Sequence, residues 1–459
     1  MRKIIEITAG KPIYGGKTLS ELNGKKVILE KALPGERVIA YIKKTRRGHI
    51  EAVAERILER SPYRIDQDCP YYHVCGGCKL RDVGYDYQTS LKRIAVKDCI
   101  ERIGKVSDCD ILPIIQSPEL NGYRNKTEFT FSKLRYVTDP AQRDQEESFT
   151  LGFHAPKVFS KSIDIDECKI QPELMNKVYL SIKNKLKSSK LEPYDVVRHE
   201  GFLRYLVIRK SCSNDIMINL VTKNENHEIL KIIAEEIAGE YYQVKSFLNT
   251  INKGLATTAY GERTSVLFGS ENIIDSIGRF NFELSHNSFF QTNPHQTPAL
   301  YDTVIEFASF DGSENVLDLY CGAGTISIYI SDRVKSVTGF ELVDNAVADA
   351  RKNAEINGIN NCTFYAGDMM RLAADDKLFS KEYDIVVTDP PRDGMHRKVV
   401  SALISSGIER IVYVSCNPST FARDVELLVS GGYNLKKVRP VDMFPHTYHI
   451  EVVGLLEKN

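Results

Sequence analysis

From about residue 311 the chain repeats one pattern: a short run of apolar, largely β-branched residues, then a stretch with helical spacing. The runs include N-V-L-D-L-Y, S-V-T-G-F-E, Y-D-I-V-V-T-D-P and R-I-V-Y-V-S-C, with a further β-type run before Asp368. Strands that are apolar along their whole length are buried on both faces, and the helical pieces between them are the crossovers that parallel pairing needs. The pattern predicts a mostly parallel sheet covered by helices on both sides, a doubly wound α/β domain over residues 281–459. Residues 1–60 read differently. K-V-I-L-E, R-V-I-A-Y-I and H-I-E-A-V-A-E-R-I-L flank the turns A-L-P-G-E and K-K-T-R-R-G, which predicts a small antiparallel β-barrel. Between them, residues 61–280 combine a helical stretch (L-K-R-I-A-V-K-D-C-I-E-R-I), β-type runs at 126–132, 148–154 and 203–210, and a second helix at 226–237. This segment is expected to be a central α/β domain.

Charge follows the same division. Lys plus Arg and Asp plus Glu are equal at 61 each, yet residues 1–60 carry 14 basic and 7 acidic side chains while residues 281–459 carry 16 and 24. A basic module joined to an acidic one suggests an electrostatic handle for a polyanion, with the chemistry placed elsewhere. Lys43, Lys44, Arg46 and Arg47 in the second turn suit phosphate contacts that carry no base readout. No run reaches the ~18 apolar residues of a membrane span, and the opening segment lacks the apolar core of a signal peptide. A cytoplasmic protein without membrane contact is expected, and its 10 cysteines are therefore candidates for metal binding or catalysis rather than disulfides.

The strand ends of the C-terminal domain carry the chemistry. N-V-L-D-L-Y runs into C-G-A-G-T, whose glycines at 322 and 324 let backbone approach a ligand, and the next strand ends on Glu341, an acid placed to accept two ribose hydroxyls. A nucleoside-bearing cofactor is implied; G-x-G alone also fits dinucleotide enzymes, but D-L-Y-C-G-A-G-T resembles the S-adenosylmethionine loop of methyltransferases. Asp368 in A-G-D-M and Asp389 in D-P-P-R end the third and fourth runs, where ligands sit in open α/β sheets. The fifth ends on Cys416, a candidate nucleophile. In F-P-H-T-Y-H-I-E, Glu451 is flanked by Ile450 and Val452, and partial desolvation there suits it to general-base work. His446 and His449 read as structural or substrate-orienting.

D-L-Y-C-G-A-G-T, D-P-P-R-D-G, V-S-C-N-P and F-P-H-T-Y-H-I-E, in this order and preceded by N-S-F-F-Q-T-N at 287–293, resemble the RNA uracil C5-methyltransferase family. The resemblance implies 5-methyluridine formation, with Cys416 as nucleophile, Glu451 as proton acceptor, and Gln291, Tyr320, Glu341, Asp368 and Asp389 at the S-adenosylmethionine site. RNA cytosine C5 methylation uses the same thiolate chemistry but places a second cysteine in the D-P-P loop, and T-D-P-P-R-D-G has none. An inactive RNA-binding protein that kept the fold is the rival from another class, and the presence of both Cys416 and Glu451 speaks against it.

Cys69, Cys75 and Cys78 form a C-x5-C-x2-C pattern, with Cys168 in D-E-C-K-I-Q-P as a fourth thiolate. Four thiolates suit tetrahedral zinc or a cubane, and spacing does not separate them. The pattern resembles the iron–sulfur site of the ribosomal RNA branch of the same family, which implies a [4Fe-4S] cluster. V-I-L-E-K-A-L-P-G-E-R-V resembles the TRAM RNA-binding module of that branch. Together they imply 23S ribosomal RNA as the substrate in preference to transfer RNA. A monomeric enzyme is expected. Cys99, Cys109, Cys212, Cys321 and Cys362 have no partner pattern and read as structural.

Overall fold

The computed structural model describes residues 3–137, 149–373 and 383–459. The predicted C-terminal domain is an eight-stranded sheet. Its strands run in the order Cys362–Ala366, Ser336–Glu341, Asn315–Leu319, Ile385–Thr388, Arg410–Ser415, Glu451–Lys458, Tyr433–Val441 and Asp110–Ile111. The first five are parallel, and Glu451–Lys458 lies antiparallel between its two neighbours. Alternate residues of one strand enter opposite cores: Val412 and Val414 pack with Val316 and Val387 on one face, Ile411 and Tyr413 with Leu317 and Val386 on the other. Double-sided burial explains why these strands read as unbroken apolar runs. Strand order reverses direction between Asn315–Leu319 and Ile385–Thr388, so the crevice of the fold opens at their carboxyl ends.

Two upstream pieces join this layer. Helix Tyr85–Arg102 buries Val96 and Ile100 against Phe421, Val425 and Leu435, and Asp110–Ile111 pairs in parallel with the edge strand Tyr433–Val441. Hairpin Ile273–Ile277 and Phe280–Leu284 buries its apolar side in the opposite core, beside Ile326 and Phe364. Neither attachment was legible from local periodicity.

The central segment forms a seven-stranded sheet, in the order Val158–Asp164, Thr150–Ala155, Lys126–Ser132, Leu203–Lys210, Ile216–Thr222, Val244–Ile251 and Arg263–Gly269. Helices Glu173–Ser188 and His227–Glu240 cover one face. The runs expected at 126–132 and 203–210 are strands as read, and the third begins at Thr150, its expected first residue, Ser148, lying outside the described residues.

Residues 4–59 make a six-stranded sheet around a small core of Val27, Leu29, Val38, Ala40 and Ala52. It rolls until its first strand, Ile4–Thr8, meets Lys17–Leu22, and Gly10 N donates to Ser20 Oγ at 2.9 Å across the closure. The basic turn is exposed, although Arg46 is engaged with Glu51 at 2.7 Å and Lys43 with Glu30 at 3.5 Å. Buried Glu36 accepts from Arg64 at 2.8 Å, and Lys11 pairs with Asp98 of helix Tyr85–Arg102, which fastens the rolled sheet to the rest of the chain. Among the described residues no helix is long and apolar enough to cross a membrane.

Candidate active site

Every predicted strand-end residue falls on one edge of the eight-stranded sheet. After Asn315–Leu319 the chain turns through Tyr320 (φ 65°) and Gly322 (φ 54°) into helix Thr325–Ile330. A β-carbon on Gly322 would meet nothing within 4 Å, so the turn faces open space. Glu341 ends the neighbouring strand and accepts from Gly322 N at 3.2 Å and Val343 N at 3.0 Å, which aims its carboxylate over the same opening. Gly367 N donates to Glu341 O at 2.8 Å, and Asp368 caps helix Met369–Leu372 by accepting from Met370 N at 2.8 Å. Around these acids Leu342, Val343, Tyr365 and Met370 leave apolar surface uncovered, Leu342 to 64%. Sequence reasoning passed over these side chains. The signal available was E-L-V, two large apolar residues placed directly after a strand-end acid.

Asp318, one strand position before the turn region, was also passed over. It is fully buried, accepts from Ser327 Oγ at 2.5 Å through one oxygen, and leaves the other without a partner. Burial raises its pKa to about 7. Asp389, at the end of Ile385–Thr388, is likewise raised to about 7, by burial and then by the charge of Asp318.

Cys416 follows strand Arg410–Ser415 and immediately precedes helix Pro418–Ser430, whose N-cap Asn417 accepts from Ser419 N at 3.1 Å. The D-P-P-R loop is tied to it: Arg392 O accepts from Asn417 Nδ2 at 3.1 Å and Thr420 Oγ1 at 3.0 Å. Burial, then the charges of Glu451 and Asp389, push the Cys416 thiol up to about 11, against a lowering by Arg392. Glu451 is 3% exposed, and burial followed by the Asp389 charge holds its carboxyl well above the usual range, with Arg392 again opposing. The nucleophile candidate, the base candidate and Asp389 thus face one another across the ends of adjacent strands, with one guanidinium among them.

The loop that delivers Glu451 is clamped from outside the domain. Lys92 pairs with Asp442 at 2.6 Å and donates to Phe444 O at 3.0 Å; Tyr85 OH donates to Asp442 Oδ2 at 3.0 Å. Gln88 accepts from His446 N at 2.9 Å, Leu80 N donates to His446 O at 2.8 Å, and Tyr123 OH donates to Pro445 O at 3.0 Å. Asn293 Nδ2 donates to Met443 O at 3.0 Å, which draws in the 287–293 segment, with Gln291 buried and Phe289 71% exposed. Burial lowers both His446 and His449 to about 4, so both rings are neutral at pH 7.

Cys69, Cys75, Cys78 and Cys168 converge from two distant segments and are each partly buried. Burial pushes Cys78 up to about 12, and Cys168, Cys75 and Cys69 all add to the rise; Cys168, at about 11, is raised by burial and then by Cys75 and Cys69. The four sulfurs therefore lie within electrostatic reach of one another. Among the described residues, no group of three or more His, Cys, Asp or Glu side chains is arranged to hold a metal ion as it stands.

Residues 113–459 match the family model described as tRNA (uracil-5-)-methyltransferase. An uncharacterized RNA methyltransferase of Halalkalibacterium halodurans is 37% identical over 455 residues, covering 99% of this chain and 97% of its own. One of Chlorobaculum tepidum is 39% identical over 433 residues, covering 93% and 90%. Among solved structures, the Pyrococcus abyssi tRNA (uracil-54, C5)-methyltransferase in complex with S-adenosyl-L-homocysteine is 29% identical, with a TM-score of 0.75 over 98% of this chain and 100% of that one. The chain carrying this strand-end site belongs to the tRNA (uracil-5-)-methyltransferase family of S-adenosylmethionine-dependent RNA methyltransferases.

Proposed function

We propose that the chain forms 5-methyluridine in RNA through a covalent bond between Cys416 and uracil C6, with Glu451 as the base. The observation that carries this reading is the meeting of Cys416, Glu451 and Asp389 beside Glu341 and the Gly322 turn. Uracil C5 is a poor nucleophile. Addition of the Cys416 thiolate at C6 places electron density on C5. S-adenosylmethionine, when bound, supplies an electrophilic methyl group to that carbon. Glu451, acting as the carboxylate, then takes the C5 proton, which its burial lets it hold; the C6–S bond breaks, Cys416 leaves as the thiolate and the ring's double bond returns. Gln291, Tyr320, Glu341, Asp368 and Asp389 are assigned to the cofactor. The open space above Gly322 and the uncovered apolar surface at Leu342 fit a nucleoside there, with Glu341 accepting from its ribose. A uridine inside a helix is out of reach, so the target is unpaired or flipped, and the exposed ring of Phe289 is a stacking surface for a base.

Cys69, Cys75, Cys78 and Cys168 are proposed to hold a [4Fe-4S] cluster; their C-x5-C-x2-C spacing and partial burial support it, and the four sulfurs must draw closer than they stand to do so. When bound, it supplies iron–thiolate bonds that cross-link residues 69–78 to residue 168. The rolled N-terminal sheet is proposed as a TRAM-like RNA-binding module, the central segment as the cluster-bearing domain, and the protein as a cytoplasmic monomer. That module and the cysteine set support 23S ribosomal RNA as the substrate. Transfer RNA is the second reading, favoured by the Pyrococcus enzyme, whose similarity runs over 98% of this chain. Mapping the 5-methyluridine lost from each RNA class in a strain lacking the protein decides between them.

Tritium release from RNA labelled at uracil C5 tests the reaction itself. Cofactor-dependent release is expected from the wild type, none from Cys416→Ala, and a fall of about 10² or more from Glu451→Gln, the range for a lost general base; methyl transfer without release refutes C5 chemistry. Because the resting thiol is pushed up to about 11, alkylation of Cys416 by iodoacetamide, followed by peptide mass mapping, should rise about tenfold per pH unit from pH 7 to 10. A rise that levels off between about pH 9 and 10 would show an ordinary thiol. Anaerobically purified protein should be brown with about four irons per chain, and colourless zinc-loaded protein would refute the cluster.

A further inference from the structure

The hairpin between strands Lys11–Ile13 and Lys17–Leu22 of the N-terminal sheet does not point into solvent. It reaches the mouth of the active site, where Tyr14 OH donates to the carbonyl oxygen of Cys416 at 3.4 Å, across 402 residues of chain. The Tyr14 ring lies edge-on to Tyr448, with centroids 5.8 Å apart, three residues before Glu451. Gly16 (φ 68°) makes this approach feasible: a β-carbon there would stand 3.3 Å from Tyr448 Cβ. The hairpin is held in place by the Lys11–Asp98 pair on helix Tyr85–Arg102, and the same helix contacts the element that follows Cys416, through Cys99 Sγ and Ser419 Oγ at 3.6 Å. Burial, followed by the charges of Tyr448 and Cys416, raises the Tyr14 phenol well above its ordinary range, so it remains a hydrogen-bond donor at any working pH.

We propose that Tyr14 is a positioning residue for methyl transfer, fixing the backbone of Cys416 so that its sulfur meets uracil C6, and that docking of the N-terminal sheet therefore completes the active site. The proposal rests on the reading of Cys416 as nucleophile. It gives the N-terminal sheet a part in the chemical step besides any hold on RNA. Attack at C6 needs the sulfur placed to a fraction of an ångström, and Cys416 sits on a bend between a strand and a helix N-terminus where its carbonyl is outside both ladders. The phenol donates to that carbonyl from a hairpin held on helix Tyr85–Arg102, the same helix that touches Ser419 just past the bend.

Single-turnover trapping on RNA containing 5-fluorouridine isolates the step. Sulfur bonds to C6 and methyl to C5, but fluorine cannot leave as a cation, so the protein–RNA adduct persists and is counted on a denaturing gel. Tyr14→Phe, which keeps the ring and its packing, should trap about fivefold more slowly at saturating RNA and cofactor, the effect of one modest hydrogen bond, while half-saturating RNA is unchanged. Tyr14→Ala should be slower still. Wild-type trapping rates in Tyr14→Phe, or a loss seen only as weaker RNA binding, would overturn the proposal. Absence of adduct with the wild type, or an equal adduct with Cys416→Ala, would instead overturn the nucleophile reading on which it stands.

Discussion

One buried ammonium group organises the loop that carries Glu451 to the strand ends. Lys92 and Asp442 are 2% and 0% exposed and pair at 2.6 Å, and the remaining valences of the pair go to Phe444 O and to Tyr85. Burial lowers the Lys92 pKa, and Asp442 opposes the fall without cancelling it. A buried ion pair of this kind adds little net stability over apolar residues of the same volume, but removing one partner strands a charge and costs about 3 to 5 kcal/mol. Its value lies in geometry: the loop between Val441 and Glu451 has no ladder of its own, and Lys92, Gln88, Leu80 and Tyr123 pin it at successive backbone atoms. Glu451 then enters the sheet at a fixed register opposite Val441.

On that frame the electrostatics are lopsided. Burial raises the proton affinity of Asp318, Asp389 and Glu451 at the strand ends, and Arg392 is the cation that opposes the rise at Cys416 and Glu451. Three desolvated acids around one opening repel one another, and any cation entering there relieves the repulsion. The neutral histidines add no competing charge. The acidic balance of residues 281–459, legible as a count, is in part this cluster.

How much could be read in advance depended on distance along the chain. The five parallel strands, the glycine turn, Glu341, Asp389 and Cys416 were legible because each is announced within ten residues by apolar runs, Gly, Pro or a strand-end acid, and the doubly wound fold itself brings strand ends to one edge. Asp318 was hidden inside a motif read for its glycines. The Lys92 clamp and the Tyr14 contact were invisible, since they join residues some 350 and 402 positions apart and leave no local periodicity. The basic turn of the first module, expected to meet phosphate, is exposed, but Arg46 is already committed to Glu51.

The short strand Asp110–Ile111 carries a wider consequence. It covers the free edge of Tyr433–Val441, while Val96 and Ile100 of the helix before it seal the outer core. Cut at residue 281, the methyltransferase sheet would be left with an open strand edge and a bared apolar face, the two features that lead chains to stick to one another. The catalytic half is thus not a portable cassette. Any rearrangement that moved this sheet would have to carry residues 85–115 along with it or replace them with another cover, although more than 150 residues of chain separate that stretch from residue 281.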